Sequence, residues 1–246
     1  MPDEDILLHA SDRAALIGAN GTGKSTLAEH LLRHFRDDYP DSRILVLDTK
    51  PRWRAETQAD GTHTRRLYRN FAKGDTIPGS VSLTRAMDWP IVWSRDANPT
   101  QTVIAQRING THKANMAFQV GCAEAFFRSQ SFKRPSLIYF DEGMDFFTAS
   151  ASAVAGSDIV QRCFRAGREK GLASLIGMQR PVGLNKQTLT ELNYCALFRI
   201  NNTEDVKRML EMGWPKDAPS PKVDYDFRVW REGRPVAPVY KLGKVA

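Results

Sequence analysis

The chain has 246 residues, 41% of them hydrophobic, and carries 35 Lys and Arg against 28 Asp and Glu, a net charge of +7. That length builds one large α/β domain or at most two small ones, which excludes a two-lobed helicase. No tract is apolar enough to span a bilayer, and the N-terminus is acidic where a secretory signal is basic, so no membrane insertion and a cytoplasmic setting are expected.

Taken in chain order, apolar runs that read as strands alternate with helical patterns, which predicts a parallel sheet covered on both faces. The first strand is placed at residues 14–18. A helix follows over 24–35, with Leu27, Leu31, Leu32 and Phe35 on one face, and it ends before Tyr39-Pro40. Further strands are predicted at 43–48, 90–94, 137–141, 173–178 and 195–200. Helices are predicted at 111–128 and 203–212, the second with Asn202 as its N-cap. Residues 227–231 and 236–241 flank Glu232-Gly-Arg and read as a β-hairpin appended to the core. The expected domain is single, over 1–246, with a core of about 13–212 and a C-terminal extension of about 222–246. Two stretches break the rhythm: residues 51–79 are long, polar and basic, and residues 148–157 are a tract of small side chains.

The chemistry is concentrated at strand ends. Gly18-Ala-Asn20-Gly21-Thr22-Gly23-Lys24-Ser25 fits G-x-x-x-x-G-K-S/T, with an apolar strand before it and an amphipathic helix after it. Glycines let such a loop curl so that successive backbone N–H groups face phosphate oxygens, and the helix N-terminus adds partial positive charge. The motif therefore predicts ATP bound with Mg²⁺. Lys24 reaches the β- and γ-phosphates, the Ser25 hydroxyl ligates the metal, and Thr26 sits in the first turn near the α-phosphate. Ser136-Leu-Ile-Tyr-Phe-Asp141-Glu142 is an apolar strand ending in two carboxylates. Asp141 suits a metal-bound water and Glu142 suits a general base, a pair that favours hydrolysis over transfer to a bound acceptor. The strand Ala173-Ser-Leu-Ile-Gly-Met ends in Gln179, whose amide can bond the γ-phosphate or the attacking water.

These residues carry a resemblance. Gly167-Arg168-Glu-Lys-Gly, then Leu175-Ile-Gly-Met-Gln179-Arg-Pro, then Leu197-Phe-Arg-Ile-Asn-Asn-Thr-Glu-Asp-Val-Lys-Arg resemble the HerA/FtsK superfamily of DNA-pumping ATPases. Ile44-Leu-Val-Leu-Asp48-Thr-Lys50 resembles the strand that follows the P-loop helix there. The similarity covers about residues 13–212. It implies a RecA-like P-loop NTPase of the ASCE type, a three-layer sandwich with a parallel central sheet, assembled as a homo-oligomeric ring of five or six subunits. By motif position it implies that Gln179 is the polar sensor and Arg168 an arginine finger acting on a neighbour's ATP, with Arg165 in reserve. The chain is compact and lacks the membrane segments and separate DNA-orienting domain of larger members. In this it resembles the viral genome-packaging branch, which implies double-stranded DNA as substrate, a capsid or portal protein as partner, and host cytoplasm or virion as setting.

Other features have plainer readings. Arg162, Arg165 and Arg168 lie three apart on an expected helix and would share one face, which also reads as a solvated basic face. Residues 50–73 offer a nucleic-acid surface: Lys50, Arg52, Arg54, Arg65, Arg66, Arg69 and Lys73 stand against only Glu56 and Asp60, with Trp53, Tyr68 and Phe71 interleaved. The same charges would also suit a loop packed on a neighbouring subunit. Arg228, Arg231 and Arg234 of the hairpin are a second candidate. His30 and His34 have the one-turn spacing of a zinc pair, but Leu31 rules out H-E-x-x-H and an exposed pair is expected. The cysteines (Cys122, Cys163, Cys195) sit among apolar neighbours without metal-ligand spacing and read as buried reduced thiols. An assembly or secretion ATPase with a protein polymer as substrate competes with the DNA motor. A small-molecule kinase is disfavoured by Glu142 and Gln179.

Overall fold

The structure, a computed structural model, describes residues 4–49, 55–58, 77–83, 102–106, 111–129, 134–147, 157–184 and 186–245. Strand β1 (Arg13–Ile17) leads through the glycine loop into α1 (Lys24–Asp38). Next come β2 (Arg43–Asp48), β3 (Ala55–Gln58), β4 (Ile77–Leu83) and β5 (Thr102–Gln106). Helix α2 (His112–Arg128) precedes β6 (Ser136–Phe140), and α3 (Gly143–Phe147) and α4 (Ser157–Ala166) precede β7 (Leu172–Met178). After α5 (Lys186–Thr190) come β8 (Tyr194–Leu197), α6 (Thr203–Glu211), β9 (Asp226–Arg231), β10 (Tyr240–Lys241) and α7 (Leu242–Val245).

The strands form one sheet in the order β10-β9-β8-β1-β7-β6-β2-β5-β4-β3. Every pairing from β8 to β3 is parallel, and β9 and β10 join antiparallel. Because the central strands are covered on both sides, they read as continuous apolar runs rather than alternating ones. Ala14, Leu16, Val46, Tyr139 and Leu175 face the α1 layer with Leu27, Leu31 and Phe35. Ala15, Ile17, Leu47, Phe140 and Ile176 face the layer of α2 and α4 with Phe126, Phe127 and Phe164. This is the expected three-layer α/β sandwich.

Helix α1 runs to Asp38 and stops at Tyr39, immediately before Pro40, where a helical conformation would clash with the proline ring. Helix α2 is capped by the Thr111 side chain accepting from the Ala114 amide, and α6 by Asn202 accepting from the Glu204 amide. The predicted strand at 90–94 lies outside the described residues. The neighbour of β2 is instead β5, whose apolar run is only Val103-Ile-Ala between polar residues. The expected C-terminal hairpin is present, and β9 joins it to the main sheet by pairing with β8 from Tyr194↔Arg231 to Leu197↔Arg228. Its return strand is short, pairing only Tyr240↔Phe227 and Lys241↔Asp226. The three cysteines are buried free thiols. Burial pushes the Cys122 and Cys163 thiols up to about 12 and Cys195 higher still. Among the described residues no helix is long and apolar enough to cross a membrane.

Candidate active site

In a parallel sheet the C-terminal strand ends share one edge, and three loops meet there. The glycine loop leaves β1, with the Gly18 amide donating to Met178 O at 3.2 Å and the Ala19 amide to Arg199 O at 2.9 Å. These two bonds tie the loop to the ends of β7 and β8. Inside it, the buried Thr22 hydroxyl donates to Ala19 O at 2.8 Å, while Asn20 and Gly21 are exposed. Lys24 Nζ donates to Gly18 O and Ala19 O, each at 2.8 Å, so the ammonium lies back over the loop's own carbonyls. Gly23, at φ 104°, occupies the left-handed region that a side chain disfavours. An added Cβ there would also lie 2.8 Å from Leu242 and 2.9 Å from Tyr225. Helix α1 begins at Lys24 with no side-chain cap and no acidic residue in its first turn. That leaves a helix terminus suited to an anion. Ser25 is half-buried in this turn and Thr26 is exposed.

The strand that ends in Asp141 and Glu142 is not the direct neighbour of the loop strand. β7, which carries the sensor position, is the immediate neighbour of β1, and β6 follows it. At the end of β6, Asp141 and Glu142 are each only 7% exposed. The Tyr139 hydroxyl donates to Asp141 Oδ1 at 3.0 Å, and the Asp141 amide donates to Leu47 O at 3.2 Å. Across β7, Gln179 Nε2 donates to Glu142 Oε2 at 3.0 Å. The structure thus brings the glycine loop, both carboxylates and the sensor-position amide to one sheet edge. Ser25 and Asp141 fit a magnesium site, since a hydroxyl at the helix start and a buried carboxylate on the next loop but one supply the hard oxygen donors that ion takes.

Arg168 is elsewhere. Met178 lies at the loop edge, so Leu172, at the other end of β7, marks the opposite edge, and Arg168 precedes it in an exposed 3₁₀ turn over Arg168–Lys170. Helix α4 stops at Ala166, so the three arginines do not continue along one helix. Arg162 sits over the Phe127 ring at 5.5 Å, and Lys170 over the same ring at 5.0 Å. Of the nucleic-acid candidates, Lys50, Arg52, Arg65, Arg66 and Arg69 lie outside the described residues. The hairpin candidate is corrected at Arg231, which is buried. Its guanidinium donates to Asp12 Oδ2 at 3.0 Å, to Asp5 O at 3.2 Å and to Leu7 O, and stacks 4.8 Å from the Tyr194 ring centroid. It ties the N-terminus to the sheet and cannot track phosphates. His30 and His34 are half-buried rather than exposed, with ring centroids 4.4 Å apart. Burial, then the neighbouring His34, lowers the His30 pKa. Among the described residues no group of three His, Cys, Asp or Glu could hold a metal ion.

Three side chains at the site edge had no role in the sequence reading. Arg180 follows Gln179 and bonds Asp205 Oδ2 at 3.1 Å. Arg199, whose carbonyl holds the loop, bonds Asp224 at 2.8 Å. Tyr225 donates its amide to Thr22 O at 3.0 Å. Arg180 belongs to the Gln179-Arg-Pro run and Arg199 to Leu197-Phe-Arg-Ile. Tyr225 had no local signal, because only the return of β9 along β8 brings it to the loop.

Comparison with solved structures places the fold. The genome packaging NTPase B204 from Sulfolobus turreted icosahedral virus 2, in complex with AMPPCP, superposes with a TM-score of 0.62 at 13% identity, covering 94% of this chain and 98% of that one. The pCW3 conjugation coupling protein TcpA, solved with ATPγS, matches with a TM-score of 0.51 at 14% identity over 91% of this chain and 58% of that one. The cytoplasmic domain of the Type VII secretion ATPase EccC from Thermomonospora curvata gives 0.50 at 14% identity, over 95% of this chain and 25% of that one. At these identities the likeness is one of fold, and it is the fold that the resemblance to the HerA/FtsK superfamily and its packaging branch implies. No protein-family model and no curated protein sequence matches the chain.

Proposed function

We propose that this chain is an ATP-hydrolysing motor that translocates double-stranded DNA, of the viral genome-packaging kind, working as a homo-oligomeric ring. The observation that carries the hydrolytic half is the buried Glu142 carboxylate held by the Gln179 amide at the edge where the glycine loop opens. In this reading the loop amides and Lys24 hold the triphosphate of ATP. Glu142 takes a proton from a water whose oxygen bonds to the γ-phosphorus as the bond to the β–γ bridging oxygen breaks, and ADP and phosphate leave. Gln179, already bonded to Glu142, orients that water. Mg²⁺ held by Ser25 and Asp141 would neutralise phosphate charge when bound.

A neighbouring subunit's Arg168 is assigned as the finger. It lies at the sheet edge opposite its own loop and can meet γ-phosphate charge only across an interface. The DNA half is supported by the fold match over nearly the whole length of a packaging NTPase and by the basic stretch at 50–73. A capsid or portal protein is the docking partner this reading calls for.

The direct test is steady-state ATP turnover by the assembled oligomer with and without duplex DNA. Stimulation by duplex of any sequence is expected. Turnover indifferent to DNA in a well-formed oligomer would overturn the DNA assignment. The fold match to a secretion ATPase favours, as second reading, a motor whose polymer is protein, and that result would point to it.

A further inference from the structure

Resting on the reading of the glycine loop as a nucleotide site, we propose that Tyr225 is the platform for the nucleotide's base, its ring stacking on the purine of the bound triphosphate. Among the described residues it is the one non-glycine with positive φ, at 65°. A bulky side chain there costs stability, and such strain persists only where surrounding structure fixes the backbone. Both of its backbone groups are fixed. The amide donates to Thr22 O of the loop at 3.0 Å, and the carbonyl accepts from the Leu242 amide at 2.9 Å. Despite this anchorage the residue is 53% exposed. A glycine would hold the same backbone without strain; what the tyrosine adds is a half-exposed ring.

Its place in the sheet fits a base. Glu142 and Gln179, which face the γ-phosphate end, lie at the ends of β6 and β7 on one side of β1. Tyr225 immediately precedes β9 on the other side, beside Gly23, where an added Cβ would meet its Cδ1 at 2.9 Å. A triphosphate laid along the loop with its γ end toward Glu142 carries its base toward β8 and β9. The ring offers a flat face for stacking, which is tolerant of base identity. Asp224 beside it is engaged by Arg199 at 2.8 Å. Adenine and guanine nucleotides are therefore expected to bind comparably.

Calorimetric titration of AMPPCP and of magnesium tripolyphosphate, which has no base, into the full chain tests this. Tyr225→Gly removes the ring and relieves the backbone, so its melting temperature without nucleotide should not fall. AMPPCP should bind it about tenfold or more weakly, the scale of one base–aromatic stack, with tripolyphosphate unchanged. Tyr225→Phe should restore AMPPCP affinity. Equal AMPPCP affinity in Tyr225→Gly, or an equal loss for both ligands, overturns the platform. Lys24→Ala separates the underlying reading: loss of both ligands there upholds the loop as the phosphate site. Retention of both, or a wild type that binds neither, overturns the loop reading and the platform with it.

Discussion

Gln179 Nε2 lies 3.0 Å from Glu142 Oε2, joining the ends of two adjacent strands whose residues are 37 apart in the chain. The bond holds a carboxylate proposed as the base, and it couples that carboxylate to the residue proposed to sense the γ-phosphate. Glu142→Gln should keep ATP binding and lose turnover by about 10²-fold or more, the scale of losing a general base. Lys24→Ala should weaken binding itself. Equal hydrolysis by wild type and Glu142→Gln would remove Glu142 from that role.

Gly177 sets the space in which Asp141 sits. A Cβ there would lie 2.7 Å from the Tyr139 hydroxyl oxygen and 2.9 Å from Asp141 O. The strand backbone cannot yield cheaply, so Gly177→Ala should cost about 1–3 kcal/mol. It should also lower turnover by displacing the Asp141 loop. Thermal unfolding and ATPase assays on the same preparation check both effects, and an unshifted melting temperature would contradict the packing argument.

Arg168 is assigned to a neighbour's site. In related P-loop enzymes a finger in trans contributes about 10³-fold or more to turnover. Arg168→Ala and Glu142→Gln subunits, each inactive alone, should recover activity when mixed, at interfaces that combine one intact half-site from each. Mixtures that stay inactive at every ratio, with assembly intact, would move the role to Arg165, which is exposed on α4.

If residues 50–73 face the DNA, apparent affinity should fall steeply with salt, with a log–log slope of about −0.9 per phosphate contact on duplex. Replacing Arg65, Arg66 and Arg69 together by alanine should flatten that slope and leave ATP binding intact, since none lies in the glycine loop. An unchanged slope would move the path elsewhere, first to the exposed Arg234, which pairs with Asp5, and to Arg228, which donates to Pro219 O and Ala237 O, since Arg231 is buried against Asp12.

His30 has a pKa lowered below its ordinary 6.5 by burial and by His34. The unfolded chain therefore takes up this proton first as pH falls, and stability should decline from about pH 6.5 down through the folded-state pKa. Denaturation midpoints between pH 7.5 and 5 check this. His30→Gln should flatten the dependence over that window, and an equal slope in the variant would assign it to other groups.

The sequence by itself determined the sandwich and the phosphate loop, because both are written in local patterns. Fully apolar strands such as Leu137-Ile-Tyr-Phe leave a chain few options but a sheet buried on both faces, and Gly18 to Ser25 imposes its curl through backbone conformation alone. The acidic pair and Gln179 were legible for the same reason: each ends an apolar strand, and parallel strands share one functional edge. Tertiary structure decided what depends on which distant segments pair. Strand β5 offers only a short apolar run, and the polar segments of β3 and β4 have weak propensity of their own; all three are strands through their neighbours. The hairpin arginines looked equivalent until packing buried Arg231 against Asp12, 219 residues away. Tyr225 lies in an unremarkable polar turn, and only the antiparallel return of β9 along β8 sets it against Gly23, since hydrogen-bonded register can bring together residues that no local pattern relates.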